Sequence, residues 1–264
     1  MNIETLKTRI DALVADGEGE VSVAYSTAGG KLEIAANRRL RAASVVKLFL
    51  LIDAYRRIED GELDRDSPIE IAKTCHVGGA GVLSTLSPQL RPSLHDLLTL
   101  MIVVSDNTAS NIVLKKIGFQ GVASTLEALG ATNTRIERYF CDQQAIREGR
   151  DNITTANDMV LALACIAESN NLVSDTSRSE MLSILSRQQL RYKLPAYFPE
   201  QRPVRILNKT GELPGIEHDV AILVSPDRCD YLAVLTDGWN ENADGQRKVA
   251  DIGRLVSRYL STHN

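Results

Sequence analysis

An α/β (α+β) fold is predicted, with one antiparallel five-stranded sheet flanked by N- and C-terminal helices and an inserted all-helical domain. Two observations predict it: strand-like runs gather near the two ends of the chain, and residues 43–195 between them carry helical periodicity. The two strand groups meet only if the chain closes on itself. The 264 residues, 44% hydrophobic and 24% charged, supply a core of that size. The resulting boundaries are 1–42 with 196–264 for the sheet subdomain and 43–195 for the helical one, with the active site expected in the cleft between them.

Each element follows from local pattern. Ile3, Leu6, Ile10 and Leu13 recur at helical spacing and predict an amphipathic first helix. VSVAYST (21–27) alternates like a strand, AGG supplies a turn, and KLEIAAN (31–37) reads as the hairpin partner. SVVKLFLLIDAYRRIEDGEL predicts a helix ending near Gly61, SLHDLLTLMIVV (93–104) a second, and NTASNIVLKKIG a third with a glycine stop. TTANDMVLALACIAE opens with threonines suited to capping, and SRSEMLSILSRQQ closes the helical block. Strands return at 204–211, 218–225 and 230–238, and a last helix covers 244–261.

Composition narrows the function. A net charge of -4 and a pI near 5.7 argue against nucleic acid or an anionic membrane surface as partner and favour a small molecule. Cys75, Cys141, Cys165 and Cys229 form no CxxC pair and read as reduced, mostly buried thiols. His76, His95, His218 and His263 are scattered and no HExxH occurs, so neither a metal nor another cofactor is expected. The first residues lack the basic start and apolar stretch of a signal peptide, which predicts a cytoplasmic protein, or a periplasmic or secreted one if a leader has been removed.

Three short motifs carry chemistry. In a helix starting near Ser44, Lys47 at i+3 shares its face, with the two Cβ atoms about 5–6 Å apart. The apolar neighbours Val45, Val46, Leu48 and Phe49 predict burial, which disfavours the charged form of Lys47 and makes it a usable base. The N–H groups of a helix start also suit a developing oxyanion. Ser105, Asp106 and Asn107 form a polar turn between two apolar helices. Lys209, Thr210 and Gly211 end a strand, a lysine and hydroxyl suited to carboxylate capture beside a residue that permits close ligand approach.

Singly, each motif has an ordinary structural explanation, as a chance match, a cap or a strand-end lysine. Together S-x-x-K, S-D-N and K-T-G stand in that order, at Ser44, Ser105 and Lys209, each at a fitting structural location. On these residues the chain resembles the class A β-lactamases and the wider penicillin-recognising serine hydrolases, over nearly its full length. The resemblance implies that Ser44 is the acylated nucleophile, that Lys47 handles its proton, and that Ser105 relays a proton to the leaving nitrogen. It further implies that Asn107 holds Lys47 and the substrate amide, that Lys209 and Thr210, next to Gly211, bind the substrate carboxylate, and that the N–H groups of Ser44 and Glu212 form the oxyanion hole. His218 falls where the family often has a carboxylate-assisting arginine.

The chain departs from the family in one loop. Aligned without gaps, TRIERYFCDQQAIREGRDNITT places Phe140 where the family has its deacylating glutamate, and a phenyl ring activates no water. Asp142 and Glu148 are the candidate replacements, with Asp142 and Gln144 next to the expected water site. Arg138 is present, but Ile153 occupies the position of its acidic partner. CHVGGAGVL (75–83) is expected to form a loop over the cleft, made flexible by Gly78, Gly79 and Gly81. The function implied is a serine hydrolase of β-lactamase type, opening a β-lactam or related amide through a Ser44 acyl-enzyme. Alternatives are a penicillin-binding or acyl-trap protein, an esterase with poor deacylation, and a glutaminase-like amidase. The ligand in each case is a small β-lactam, ester or peptide-like molecule.

Overall fold

The computed structural model describes residues 1–72, 75–199 and 204–262, and His263 lies outside them. Helix α1 (Ile3–Ala15) begins where the Asn2 side chain accepts the Thr5 N–H, and it buries Leu6 and Ile10 completely. Strands β1 (Glu20–Thr27) and β2 (Gly30–Ile34) form the hairpin, the second ending at Ile34 rather than Asn37. A two-residue strand, β3 (Leu40–Arg41), leads to α2 (Lys47–Glu59), in which every side chain from Lys47 to Tyr55 is buried. A helix buried on all sides belongs inside a bundle, and α2 packs against four of the helices that follow.

Those are α3 (Leu94–Val103), α4 (Asn107–Leu129) and, beyond the short α5 (Gln143–Arg147) and β4 (Ile153–Thr154), α6 (Ala156–Ala167) and α7 (Asp175–Ser186). Caps set their starts: Ser93 and Asp96 make a reciprocal capping box on α3, and Thr155 accepts from the Asp158 amide at α6. The glycine stop predicted at Gly118 is a break rather than an end. Gly118 leaves helical geometry (φ 73°, ψ 156°), after which α4 resumes and ends at the left-handed Gly130. The pairing of β3 with β4, and α5 itself, were not anticipated.

Strands β5 (Arg205–Leu213), β6 (Ile216–Val224) and β7 (Cys229–Asp237) complete an antiparallel sheet in the order β2-β1-β7-β6-β5, and α8 (Asn242–Leu260) closes the chain. Helices α1 and α8 cover one face, where Leu6, Ile10, Val23, Leu232, Val234, Ile252 and Val256 form one core. The other face joins the helical block in a larger core around α2. Coverage on both sides explains why β6 is apolar at successive positions: Val220 and Ile222 face the helices, Ala221 and Leu223 the α1–α8 layer. Of the four free cysteines only Cys165 is buried; Cys75 and Cys229 are partly exposed and Cys141 is exposed, which corrects the expectation of mostly buried thiols. Among the described residues no helix is long and apolar enough to cross a membrane.

Candidate active site

A cavity of about 300 Å³ opens between the end of β5 and the helical block, lined by Ser44, Ser105, Asn107, Phe140, Thr210 and Glu212 among others. Ser44 precedes α2 rather than starting it. Its segment turns through i→i−3 bonds, Val45 N to Ala42 O at 3.3 Å and Lys47 N to Ser44 O at 3.2 Å, so the tight turn places Ser44 on the cavity wall. Ala43, just before it, is left-handed at φ 46°. Ser105 (φ 56°) and Cys141 (φ 64°) share that conformation and also line the cavity, so three of the four non-glycine residues with positive φ among the described residues converge here. Strain of this kind persists where surrounding contacts over-determine the backbone. Gly211 is required by close approach: a Cβ there would stand 3.1 Å from both Ser44 N and Ala43 Cβ.

Lys47 is wholly buried, and its Nζ donates to Ser105 O (2.7 Å), Ser105 Oγ (3.2 Å) and Asn107 Oδ1 (2.9 Å). The left-handed turn at Ser105 presents its carbonyl and hydroxyl to the same Lys47 nitrogen. Lys209, also wholly buried, donates to Ser105 Oγ (3.0 Å) and Thr210 O (2.8 Å). One hydroxyl oxygen thus sits between two lysines. Burial, and then the charge of Lys209, push Lys47 well below the ordinary lysine range. Burial brings Lys209 down to about 7, with Asp219 opposing and Lys193 adding to the shift. The Phe140 ring lies against Lys47, its centroid 4.6 Å from Nζ.

Phe140 is held from both sides by Asn111 on α4, whose Oδ1 accepts the Phe140 N–H (2.8 Å) and whose Nδ2 donates to Phe140 O (3.0 Å). The loop's ion pair exists, but with another partner than the ungapped alignment implied: Arg138 Nε meets Asp151 Oδ1 at 2.7 Å, while Ile153 pairs in β4. The two candidate base replacements are corrected. Asp142 caps α5 by accepting the Ala145 N–H, and Glu148 binds Gln144 and Arg150 on the solvent side. Helix α5 turns Gln143 and Ile146 inward and Gln144 and Glu148 outward, so neither carboxylate lines the cavity.

His218 is corrected too. It is fully buried behind β5, its Nε2 2.8 Å from Arg41 O and its Nδ1 accepting the Thr236 N–H at 3.0 Å. Burial lowers it to about 4, leaving a neutral ring with no nitrogen free for a substrate. The glycine loop does cover the cavity, with Gly79 and Ala80 in its wall, and close contact requires glycine at Gly79 and Gly81, whereas Gly78 faces open space. A Cβ on Gly79 would come within 2.6 Å of Asn107 Nδ2, and one on Gly81 within 2.3 Å of Asp106 Cγ.

Sequence reasoning missed several supports. Besides the cap on α4 that the S-D-N turn suggested, made through the Ala109 N–H (2.9 Å), Asp106 accepts the Val82 and Leu83 N–H groups (2.7 Å each), tying the glycine loop to that turn. Asn111 stands one turn beyond Asn107, an i,i+4 signal that was available. Cys141 Sγ donates to Gly78 O (3.2 Å) and lies 3.4 Å from Asn107 Nδ2; nothing in the sequence marked it.

A model described as the beta-lactamase enzyme family matches residues 5–260. A β-lactamase structure from Sphaerobacter thermophilus superimposes with a TM-score of 0.91 at 29% identity, over 99% of each chain. PBP-A superimposes at 0.88 with 20% identity, over 99% of this chain and 98% of that one, and a PBP-A variant has been captured as an acyl-enzyme complex with penicillin G. Beta-lactamase CARB-3 of Pseudomonas aeruginosa is 27% identical over 168 residues, 61% of this chain and about half (54%) of that relative's length. The three motifs, the sheet order and a family match over nearly the whole chain agree, and the protein belongs to the beta-lactamase enzyme family.

Proposed function

We propose that the protein is a serine hydrolase of the β-lactamase type that opens a β-lactam or related amide through a Ser44 acyl-enzyme and releases the acyl group slowly. The observation that carries acylation is the Ser105 hydroxyl held between Lys47 Nζ at 3.2 Å and Lys209 Nζ at 3.0 Å, on the cavity wall shared with Ser44. Neutral Lys47 takes the Ser44 proton as Oγ attacks the carbonyl carbon. The Ser44 and Glu212 N–H groups receive the oxyanion, the C–N bond breaks, and the proton passes from Lys47 through Ser105 to the leaving nitrogen. Lys209 and Thr210 hold the substrate carboxylate.

The slow second half-reaction follows from Phe140. Its ring fills the wall against Lys47, and Glu212 on β5 is the sole carboxylate among the described cavity-lining residues. Water at the ester lacks a carboxylate base on this wall, and the Phe140 ring covers the Lys47 amine, so the general-base contribution of about 10²–10⁴-fold in such steps is withheld. This supports reading the protein toward the acyl-trap end of its family. Intact-protein mass spectrometry after mixing with benzylpenicillin should show one added penicillin mass per chain, absent in Ser44→Ala. No adduct with several β-lactams would sink the acylation step.

A further inference from the structure

One carboxylate in the cavity has no part in the steps above. Thr210 and Glu212 alternate onto the same face of β5, and both line the cavity, so the Glu212 side chain stands at the end that receives the substrate carboxylate. Two neighbours hold it: the Tyr192 hydroxyl donates to Oε1, and Lys193 Nζ lies 3.1 Å away. Lys193, however, is wholly buried and already paired more closely, with Glu217 Oε2 at 2.5 Å. Glu217 is itself buried and fixed by Asn242 (2.7 Å) and Gln246 (3.1 Å) on its other oxygen.

At salt-bridge distance Lys193 faces two carboxylates, Glu212 and Glu217, while buried Asp219 and Lys209 act on the cluster from farther away and oppose each other. The buried pair neutralises itself, and the excess negative charge falls on Glu212, whose side chain is 42% exposed at the cavity mouth. Burial works against its ionisation, but the charge of Lys193 and the hydrogen bonds from Tyr192 and Lys193 outweigh that, keeping Glu212 below the ordinary carboxylate range and charged at neutral pH. His218 supplies no compensating cation, because it is neutral and turned toward Arg41 O. At the carboxylate end, the Lys209 ammonium, buried behind the wall and bonded to Ser105 Oγ and Thr210 O, therefore stands beside one fixed anion.

We infer that Glu212 is a specificity-determining residue that selects acyl donors carrying a positive charge next to the carboxylate, on the leaving-group side of the scissile amide. A substrate bringing only a carboxylate meets Glu212 as a like charge. A zwitterion satisfies Lys209 and Glu212 together. The inference rests on the acylation of Ser44 proposed above.

The test uses two cephalosporins with the same acyl side chain, one with a pyridinium-methyl group at C3 and one with an uncharged acetoxymethyl group, and measures the second-order rate of Ser44 labelling. Because the two differ in intrinsic reactivity, the informative quantity is the ratio in the wild type divided by the ratio in Glu212→Gln. A value of roughly five to ten is expected, falling toward one as salt is raised, with Glu212→Lys shifting the ratio further against the pyridinium compound. The salt series on the wild type reads the same charge without any substitution. Equal ratios in wild type and Glu212→Gln, with both compounds labelling Ser44, would overturn this selectivity and leave acylation standing. Failure of both compounds to label Ser44 would overturn acylation, and the selectivity with it.

Discussion

Lys209 has its ammonium 3.0 Å from the Ser105 hydroxyl, and burial brings it down to about 7, whereas the same residue in an unfolded chain stays charged to near 10.5. The sign of the consequence is fixed. Charge on Lys209 is present below about 7 and lost as pH rises through it, while Lys47 must lose its proton to act as base and is also shifted down. For a carboxylate-bearing penicillin the second-order acylation rate should rise with pH through the Lys47 ionisation and fall again through an alkaline limb near Lys209's value of about 7. An activated ester without a carboxylate should keep the acid limb and lose the alkaline one. Identical alkaline limbs for both acyl donors would show that Lys209 does not anchor the carboxylate. At this scale the sequence was informative because a buried lysine one turn from a serine carries its own chemistry. It misled where a side chain's direction decides: His218 is beside K-T-G in the sheet but turns to Arg41 O, which no spacing reveals.

At the scale of elements, the turn between α3 and α4 organises the helical side of the cavity. Asp106, 1% exposed, satisfies three backbone N–H groups, one at the start of α4 and two in the glycine loop. Asp106→Ala leaves those donors without a partner and removes a helix cap, which should cost about 3 kcal/mol or more in urea unfolding. A loss below about 1 kcal/mol would mean that the loop is held by other contacts. The elements flanking the site were legible: the first nine residues of α2 are buried on every side and mostly apolar, and the sheet strands show as apolar runs bounded by turn residues. The 137–153 loop was not. Its ion pair uses Asp151, two residues short of the position an ungapped alignment selects, and the orientation of α5 alone decides that Glu148 faces solvent. A five-residue helix has too few positions for periodicity to declare its inner face.

At the scale of the molecule, two cores meet along the sheet, and the cavity lies where β5, the outermost strand on its side, runs past the helical block. An edge strand keeps backbone groups available on its open side, and β5 brings Gly211 close to the Ser44 turn. The ends of the chain build the sheet with α1 and α8 and the middle builds the other helices, so the machinery proposed for acylation is drawn from residues 44 to 212, whereas the wall proposed to govern release comes from one loop pinned by Asn111 and Asp151. As proposed above, this wall permits acylation and withholds the base for release. That withholding is tested most directly by labelling the wild type and Phe140→Glu with benzylpenicillin, removing the excess, and following the adduct by intact mass. The adduct on the wild type should persist, and that on Phe140→Glu should disappear at least about tenfold faster. A wild-type adduct that decays as fast as the variant's would contradict the account.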